Sequence, residues 1–186
     1  MTITIAVTGK SGSGKTVLTK SILTSLHNSY PDKSILVIDN DLSEELSRSY
    51  GVDVSNTIYE VRSGKYKYSS KIPEGMTKYE YIKWVLQDLT VNLFEEVDLI
   101  TTGAISTKEC NCYTSSLIND ALIKTIRSYD IVLFDCEYDL NYLNKLVDYP
   151  IDITLIVSKT SISAIYLASK IMEASAKLAR DRKSVV

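Results

Sequence analysis

No apolar run in this chain approaches the ~18 residues that a membrane-crossing helix requires; "DITLIVS" and "DIVLFD" are each broken by charge within a few positions. The opening "MTITIAVTGK" lacks the basic segment, apolar core and small-residue cleavage site of a secretory leader, and its alternation of Thr and Ile reads as a strand. An excess of one charge sign is missing too. With 21 Lys and Arg against 23 Asp and Glu, the formal net charge is −2, which gives no global electrostatic reason to expect nucleic acid or an anionic membrane as partner. Cysteine occurs three times, and two of the three are one residue apart. That is no disulfide framework, and a reducing compartment leaves thiols available for metal or redox work. The expectation is a soluble, cytoplasmic protein with no nucleic acid and no membrane among its partners.

What is present is enough apolar material for one domain: 45% hydrophobic residues in a chain of 186 can cover a central sheet. Short β-branched runs alternate with segments of helical period. "ITIAV", "SILVID", "DLITTG", "DIVLFD" and "DITLIVS" are apolar on both faces, as strands inside a parallel sheet are. Between them, "VLTKSILTSLH" places Val17, Leu18, Ile22, Leu23 and Leu26 at core spacing, and "TKYEYIKWVLQDLTVNLF" reads as one helix with Tyr81, Trp84, Val85 and Leu89 inward. "TSSLINDALIKTI" and "SAIYLASKIMEASAKLA" are further helices. Residues 50–76, polar and rich in tyrosine, with Gly51, Gly64, Pro73 and Gly75, read as an irregular excursion. Residues 1–186 are therefore expected to form a single α/β domain.

The stretch "TGKSGSGKT" gives that domain a chemistry. Gly9, four residues, then Gly14, Lys15 and Thr16 satisfy the phosphate-loop pattern, placed between an expected strand and an expected helix. Backbone amides of Gly9, Lys10, Ser11, Gly12, Ser13 and Gly14 and the positive end of the helix would turn toward phosphate oxygens. Lys15 would contact the β- and γ-phosphates, and Thr16 would ligate Mg²⁺. The fold expected is then a P-loop NTPase three-layer sandwich, a mainly parallel sheet flanked by helices. Asp135, closing the apolar strand "IVLFD", suits the second shell of Mg²⁺, while Asp39 and Asp41 in "LVIDND" follow the second strand. Asp41 either projects toward the γ-phosphate or caps the helix in "LSEELSRSY".

Lys10, directly after the first loop glycine, is either a solvated lysine or a specialised one. It resembles the deviant Walker A signature of the family containing MinD, ParA and the nitrogenase iron protein. By that resemblance Lys10 would cross the interface of a homodimer to the partner's nucleotide, and the residue matching Asp41 would orient water. Ser11 stands where the family prefers Gly. "IPEGMTKYEYIKWVLQDLTVNLFEEVDLITTG", the pair Cys110 and Cys112, and "YDIVLFDCEYDLNYLNK" further look like the CooC group, ATPases that help insert nickel into carbon monoxide dehydrogenase. This likeness implies that one cysteine pair from each subunit binds Ni²⁺ or Zn²⁺ at the dimer interface. Read alone, two cysteines one residue apart cannot close a site, and incidental loop thiols are the plain alternative. His27 reads as a surface residue and Cys136 as packed near the sheet end.

Two departures from the group are visible. Tyr138 and Asp139 replace an Ala-Gly step that contacts the γ-phosphate, and Tyr142 replaces a histidine. The group also continues past the last helix, so the C-terminus looks truncated by comparison. Catalysis by Lys10, Lys15 and Asp41 with ATP and Mg²⁺, serving a client metalloenzyme, is the expected function. The alternatives are a non-catalytic nucleotide switch or scaffold of the same fold and a small-molecule kinase. The kinase would need an arginine-bearing lid, and Arg48, Arg62, Arg127, Arg180 and Arg182 do not cluster in the sequence.

Overall fold

The computed structural model describes residues 1–41, 43–54, 56–63, 65–66, 72–103, 113–137 and 150–183. Its centre is a six-stranded sheet built from β1 (Ile3–Gly9), β2 (Ile35–Asn40), β3 (Val91–Phe94), β4 (Val97–Thr101), β5 (Ile131–Cys136) and β6 (Ile153–Val157), in the spatial order β3-β4-β2-β5-β1-β6. All pairings are parallel except that of β3 with β4. Every residue of β2 and β5 is buried, which is why these strands read as continuous apolar runs rather than alternating ones.

Side-chain alternation divides the core between the two faces of the sheet. Leu36, Ile38, Val132, Phe134 and Cys136 pack in one cluster with residues of α3 (Ile58–Arg62), α4 (Lys78–Leu89), α5 (Tyr113–Arg127) and α6 (Ile162–Lys183). Ile35, Val37, Ile131 and Leu133 pack in the other with α1 (Lys15–Ser29) and α2 (Glu45–Ser49). The result is the three-layer arrangement of a P-loop NTPase. Full burial of each such aliphatic side chain contributes about 1.5–3 kcal/mol. The same parity continues one step further: Asp39 and Asp135 share the odd-numbered face of Ile35, Val37, Ile131 and Leu133, so both carboxylates belong on the α1 side.

Three expectations from periodicity are corrected. The helix expected to run through Phe94 ends at Leu89. Thr90 closes it, its hydroxyl donating to Leu86 O at 2.7 Å, and Val91–Phe94 turns back through Glu95 and Glu96 to pair antiparallel with β4. The Asn92 side chain fixes that hairpin, its Nδ2 donating to Phe94 O, Val97 O and Asp98 Oδ1. Second, Trp84 is 40% exposed, and Ile82 and Leu86 take inward places on α4. Third, on α1 Val17 and Leu18 face outward at 69% and 36% exposure, while Lys15, Thr16, Thr19 and Leu23 are buried. The excursion at residues 50–76 carries α3, entered through Thr57, whose amide and hydroxyl both donate to the Glu60 carboxylate, and it buries Tyr66.

Candidate functional site

The carboxyl ends of β1, β2 and β5 lie side by side, with Asp135 in register with both Val7 and Asp39. This edge, where the strand order changes direction, is where open α/β sheets bind ligands. The glycine loop leaves β1 here. Gly9 has φ +150°, and a Cβ on it would fall 2.0 Å from Val157 O of β6. The loop turns through Ser13 N donating to Lys10 O at 3.1 Å, passes Gly12 at φ +70°, and enters α1 through Gly14 at φ +96°. No side chain caps that helix, so the loop presents backbone donors of the kind that bind anions.

Lys15 is buried, with its Nζ 3.8 Å from Asp41 Oδ2. Asp41 Oδ1 accepts from Ser43 N at 2.9 Å and Ser43 Oγ at 2.7 Å. The capping role for Asp41 is not what forms: the N-cap of α2 is Glu44, at φ 51°. Asp41 thus sits on a turn beyond β2 with one oxygen directed to the loop lysine.

Asp39 is a different kind of group. Its Oδ2 accepts from Ser47 N at 2.8 Å and Ser47 Oγ at 2.5 Å, its Oδ1 accepts from Asp41 N at 3.3 Å, and Ser47 Oγ lies 2.7 Å from Thr101 Oγ1. Burial pushes the Asp39 carboxyl up, and the Ser47 donors work against that shift. With its acceptor sites occupied by protein donors, Asp39 anchors the turn that carries Asp41 to α2 and β4.

Asp135 is fully buried, and neither carboxylate oxygen has a hydrogen-bond partner among the described residues. Burial pushes its carboxyl up to about 6, helped by the charges of Asp39 and Asp41 and opposed by the nearby Thr16 hydroxyl and Lys15. A buried, unpaired carboxylate is costly unless something cationic or protic completes it. Mg²⁺ with its waters fits that need, since it is held by few protein groups plus substrate phosphates. Among the described residues no group of three or more His, Cys, Asp or Glu converges into a self-sufficient metal site.

The remaining site residues divide clearly. Lys10 and Ser11 are exposed, and the Lys10 ammonium has no hydrogen bond or ion pair among the described residues. Cys136 lies on the opposite face from Asp135 in the apolar core, where burial pushes its thiol up; a metal-binding thiolate is disfavoured there. His27 is half-buried rather than on the surface, edge-on to Phe94 at 4.9 Å between ring centroids. Cys110, Cys112, Tyr138, Asp139 and Tyr142 lie outside the described residues. Two features of the site escaped the sequence reading: the Ser47 and Thr101 support of Asp39, which no local motif encodes, and Lys159, whose Nζ would lie 3.3 Å from a Cβ on Gly12. No local motif signals Lys159; only the pairing of β6 with β1 brings it to the loop.

Comparison with known proteins agrees with this geometry. The model of the family described as AAA domain matches residues 1–185. A protein of Methanocaldococcus jannaschii described as an uncharacterized ATP-binding protein is 28% identical over 176 residues, covering 94% of this chain and 68% of the relative. Among solved structures, the MinC:MinD cell division protein complex of Aquifex aeolicus aligns with a TM-score of 0.64 and 22% identity, over 95% of this chain and 64% of that one. The septum site-determining protein MinD of Pyrococcus horikoshii, complexed with Mg-ADP, aligns at 0.62 and 22%, over 95% and 66%. The chain spans about two thirds of the length of these relatives. The structural likenesses carry the fold, and the family match extends over nearly every residue. With the loop of Gly9 to Thr16 in place at the sheet edge, the chain belongs to the AAA domain family, and its fold is that of the MinD structures.

Proposed function

We propose that this protein binds ATP with Mg²⁺ and hydrolyses it, that two copies associate around the nucleotides, and that the dimer holds nickel or zinc on Cys110 and Cys112 for delivery to a client metalloenzyme such as carbon monoxide dehydrogenase. The observation that carries the nucleotide part is the convergence of Lys15, Asp41 and Asp135, the last without a hydrogen-bond partner among the described residues, at the mouth of the glycine loop.

In this reading the loop amides and Lys15 bind the phosphates, and Lys15 exchanges its contact with Asp41 for one with the nucleotide. The Thr16 hydroxyl, with Asp135 behind it, would hold Mg²⁺, which would supply positive charge to the phosphates. Asp41, released from Lys15, accepts a hydrogen bond from the attacking water. Lys10 serves the partner's pocket, where charge develops on the transferred phosphoryl group.

Association is supported by the exposed Lys10, which has no ion pair among the described residues, and by apolar side chains that flank the loop. Val17 and Leu18 stand on the first turn of α1; Ile162, Ile165 and Tyr166 stand at the start of α6. The metal part rests on the resemblance of the Cys110 and Cys112 spacing to the CooC pair. The chain enters that connection from the carboxyl end of β4, the same sheet edge as the loop.

A nucleotide switch without turnover is the second reading. Glu137 favours it: burial and the charge of Asp41 push this carboxyl up beside the phosphate site, and its ionised form would repel a terminal phosphate.

Phosphate release and molecular mass, followed with MgATP, test the pair. Hydrolysis requires measurable wild-type turnover that falls on the order of a hundredfold or more in Lys10→Ala and Asp41→Ala. Binding without release selects the switch. Equilibrium titration with Ni²⁺ or Zn²⁺ should give one ion per two chains and lose it in Cys112→Ser; unchanged uptake would remove the metal-delivery role alone.

A further inference from the structure

β6 lies against β1 with Thr8 opposite Ile156 and Gly9 opposite Val157. The Asp152 carboxylate fixes that alignment, with Oδ2 accepting from Thr4 N at 2.8 Å and Thr4 Oγ1 at 2.9 Å. The chain leaving β6 therefore departs beside the glycine loop. Two residues later comes Lys159, exposed to solvent, with its Nζ packed so near Gly12 that an added Cβ would meet it at 3.3 Å.

The ammonium has no hydrogen bond or ion pair among the described residues. Two other exposed lysines are paired locally, Lys33 with Asp130 at 3.0 Å and Lys170 with Glu173 at 2.9 Å. Lys159 instead rests against the backbone of the segment that gathers anions. A polyphosphate arriving at the loop would give this ammonium a counter-charge beside the positive end of α1. Lys15 spends part of its charge on Asp41; Lys159 has no such competitor among the described residues.

We propose that Lys159 is a second phosphate-contacting cation, supplied by the same subunit from the β6–α6 loop, which binds the polyphosphate chain of the nucleotide together with Lys15. This deepens the ATP-binding reading and rests on it. Lys10 and Lys159 then divide the work: Lys10 serves the partner's pocket, and Lys159 serves its own in ADP-bound and ATP-bound states alike.

The test is titration of fluorescent ADP and ATP analogues with Mg²⁺ into the whole protein and into Lys159→Ala, Lys159→Arg and Lys159→Met, with Lys170→Ala as the control. The mass of each complex is followed in parallel. Lys159→Ala is expected to weaken both nucleotides about tenfold, as loss of one charge-assisted phosphate contact does. Lys159→Met, which keeps the apolar stem, should be equally weak. Lys159→Arg should return to within about threefold of wild type, and the affinity of Lys159→Ala should depend less steeply on salt. Wild-type ADP affinity in Lys159→Ala, or wild-type behaviour in Lys159→Met, would overturn the assignment, the second by showing that only the stem packing on Gly12 matters. A change of dimer mass with unchanged ADP affinity would also overturn it, placing the cation between copies. Failure of the wild-type chain to bind either nucleotide would remove the ATP-binding reading itself, a result distinct from failure of the Lys159 variants alone.

Discussion

Asp39 and Asp135 are register partners on adjacent parallel strands, both fully buried, yet one is saturated with donors from Ser47 and Asp41 and the other has no hydrogen-bond partner among the described residues. The contrast separates two jobs that a sequence shows as two similar acids. A carboxylate fed by protein donors holds structure. One left open in a buried site costs the fold stability unless a cation or a donor completes it.

Asp135→Asn tests this cost. Burial has pushed the native carboxyl up to about 6, so at pH 7 the nucleotide-free protein holds an ionised group in an environment that disfavours it. The neutral, nearly isosteric amide should raise stability by about 1–3 kcal/mol, seen as a melting temperature several degrees higher without nucleotide. The same variant should lose most of the Mg²⁺ dependence of ATP binding. A lowered melting point would show that the carboxylate has a stabilising partner after all.

Ser47→Ala should act in the opposite direction. It removes the hydroxyl that bridges Asp39 and Thr101, leaving buried acceptors undersatisfied at about 1–3 kcal/mol. For a chain of this size that is a fall of roughly 2–10 °C in melting temperature. Because Asp39 also accepts from Asp41 N, turnover should fall more than ATP affinity, since Asp41 loses its fixed position while the loop and Lys15 keep theirs. Equal losses in both would mean that Asp39 supports the loop instead.

The parts of this molecule that could be read from the sequence are those where one local rule decides. Gly9, Gly14, Lys15 and Thr16 fall where the loop pattern places them, and the parallel strands announce themselves by apolar runs buried on both faces. Periodicity failed on α1, and it failed because of the site. Thr16 and Thr19 face inward where Val17 and Leu18 fit a core stripe better, since the first turn of this helix packs against the polar ends of β1 and β5 and not against their apolar middles. The edge strand Val91–Phe94 was hidden by helical spacing that continues past Leu89; only pairing with β4 makes it a strand. Lys159 lies 144 residues from Lys15 in sequence, and only the placement of β6 beside β1 brings it to Gly12.

Asp130 supplies a pH test remote from the site. It joins the starts of β2 and β5: Lys33 Nζ donates to Oδ1 at 3.0 Å, and Ser34 N donates to Oδ2 at 3.2 Å. The Lys33 and Ser34 hydrogen bonds hold its carboxyl below the usual carboxylate range. A depressed folded-state value means that the stabilisation is present above the unfolded-state pKa and is lost as pH falls through the folded-state value. Wild type should therefore be more stable than Asp130→Asn near neutrality. The gap should close as pH drops below the ordinary aspartate value and through the lower folded-state one. Melting curves of the two proteins across that range check it, and a gap that widened on acidification would contradict the assigned sign.

Gly9 carries the tightest backbone constraint at the site. Its φ is +150°, and a Cβ would come within 2.0 Å of Val157 O, a backbone atom that cannot step aside without separating β6 from β1. Gly14 also has positive φ, at +96°, but nothing lies within 4 Å of where its Cβ would be. The two glycines should therefore respond differently to alanine. Gly14→Ala meets conformational strain alone and should cost about 1–2 kcal/mol, with the fold retained and phosphate binding weakened by a distorted loop. Gly9→Ala adds a steric collision with the neighbouring strand and should cost about 3 kcal/mol or more. It should also loosen β6, which hydrogen exchange would report as faster exchange of the amides of Ile153–Val157 than in Gly14→Ala. If both variants melted alike with β6 equally protected, contact with Val157 would not be the reason that position 9 is glycine, and the loop's own turn would be the only constraint.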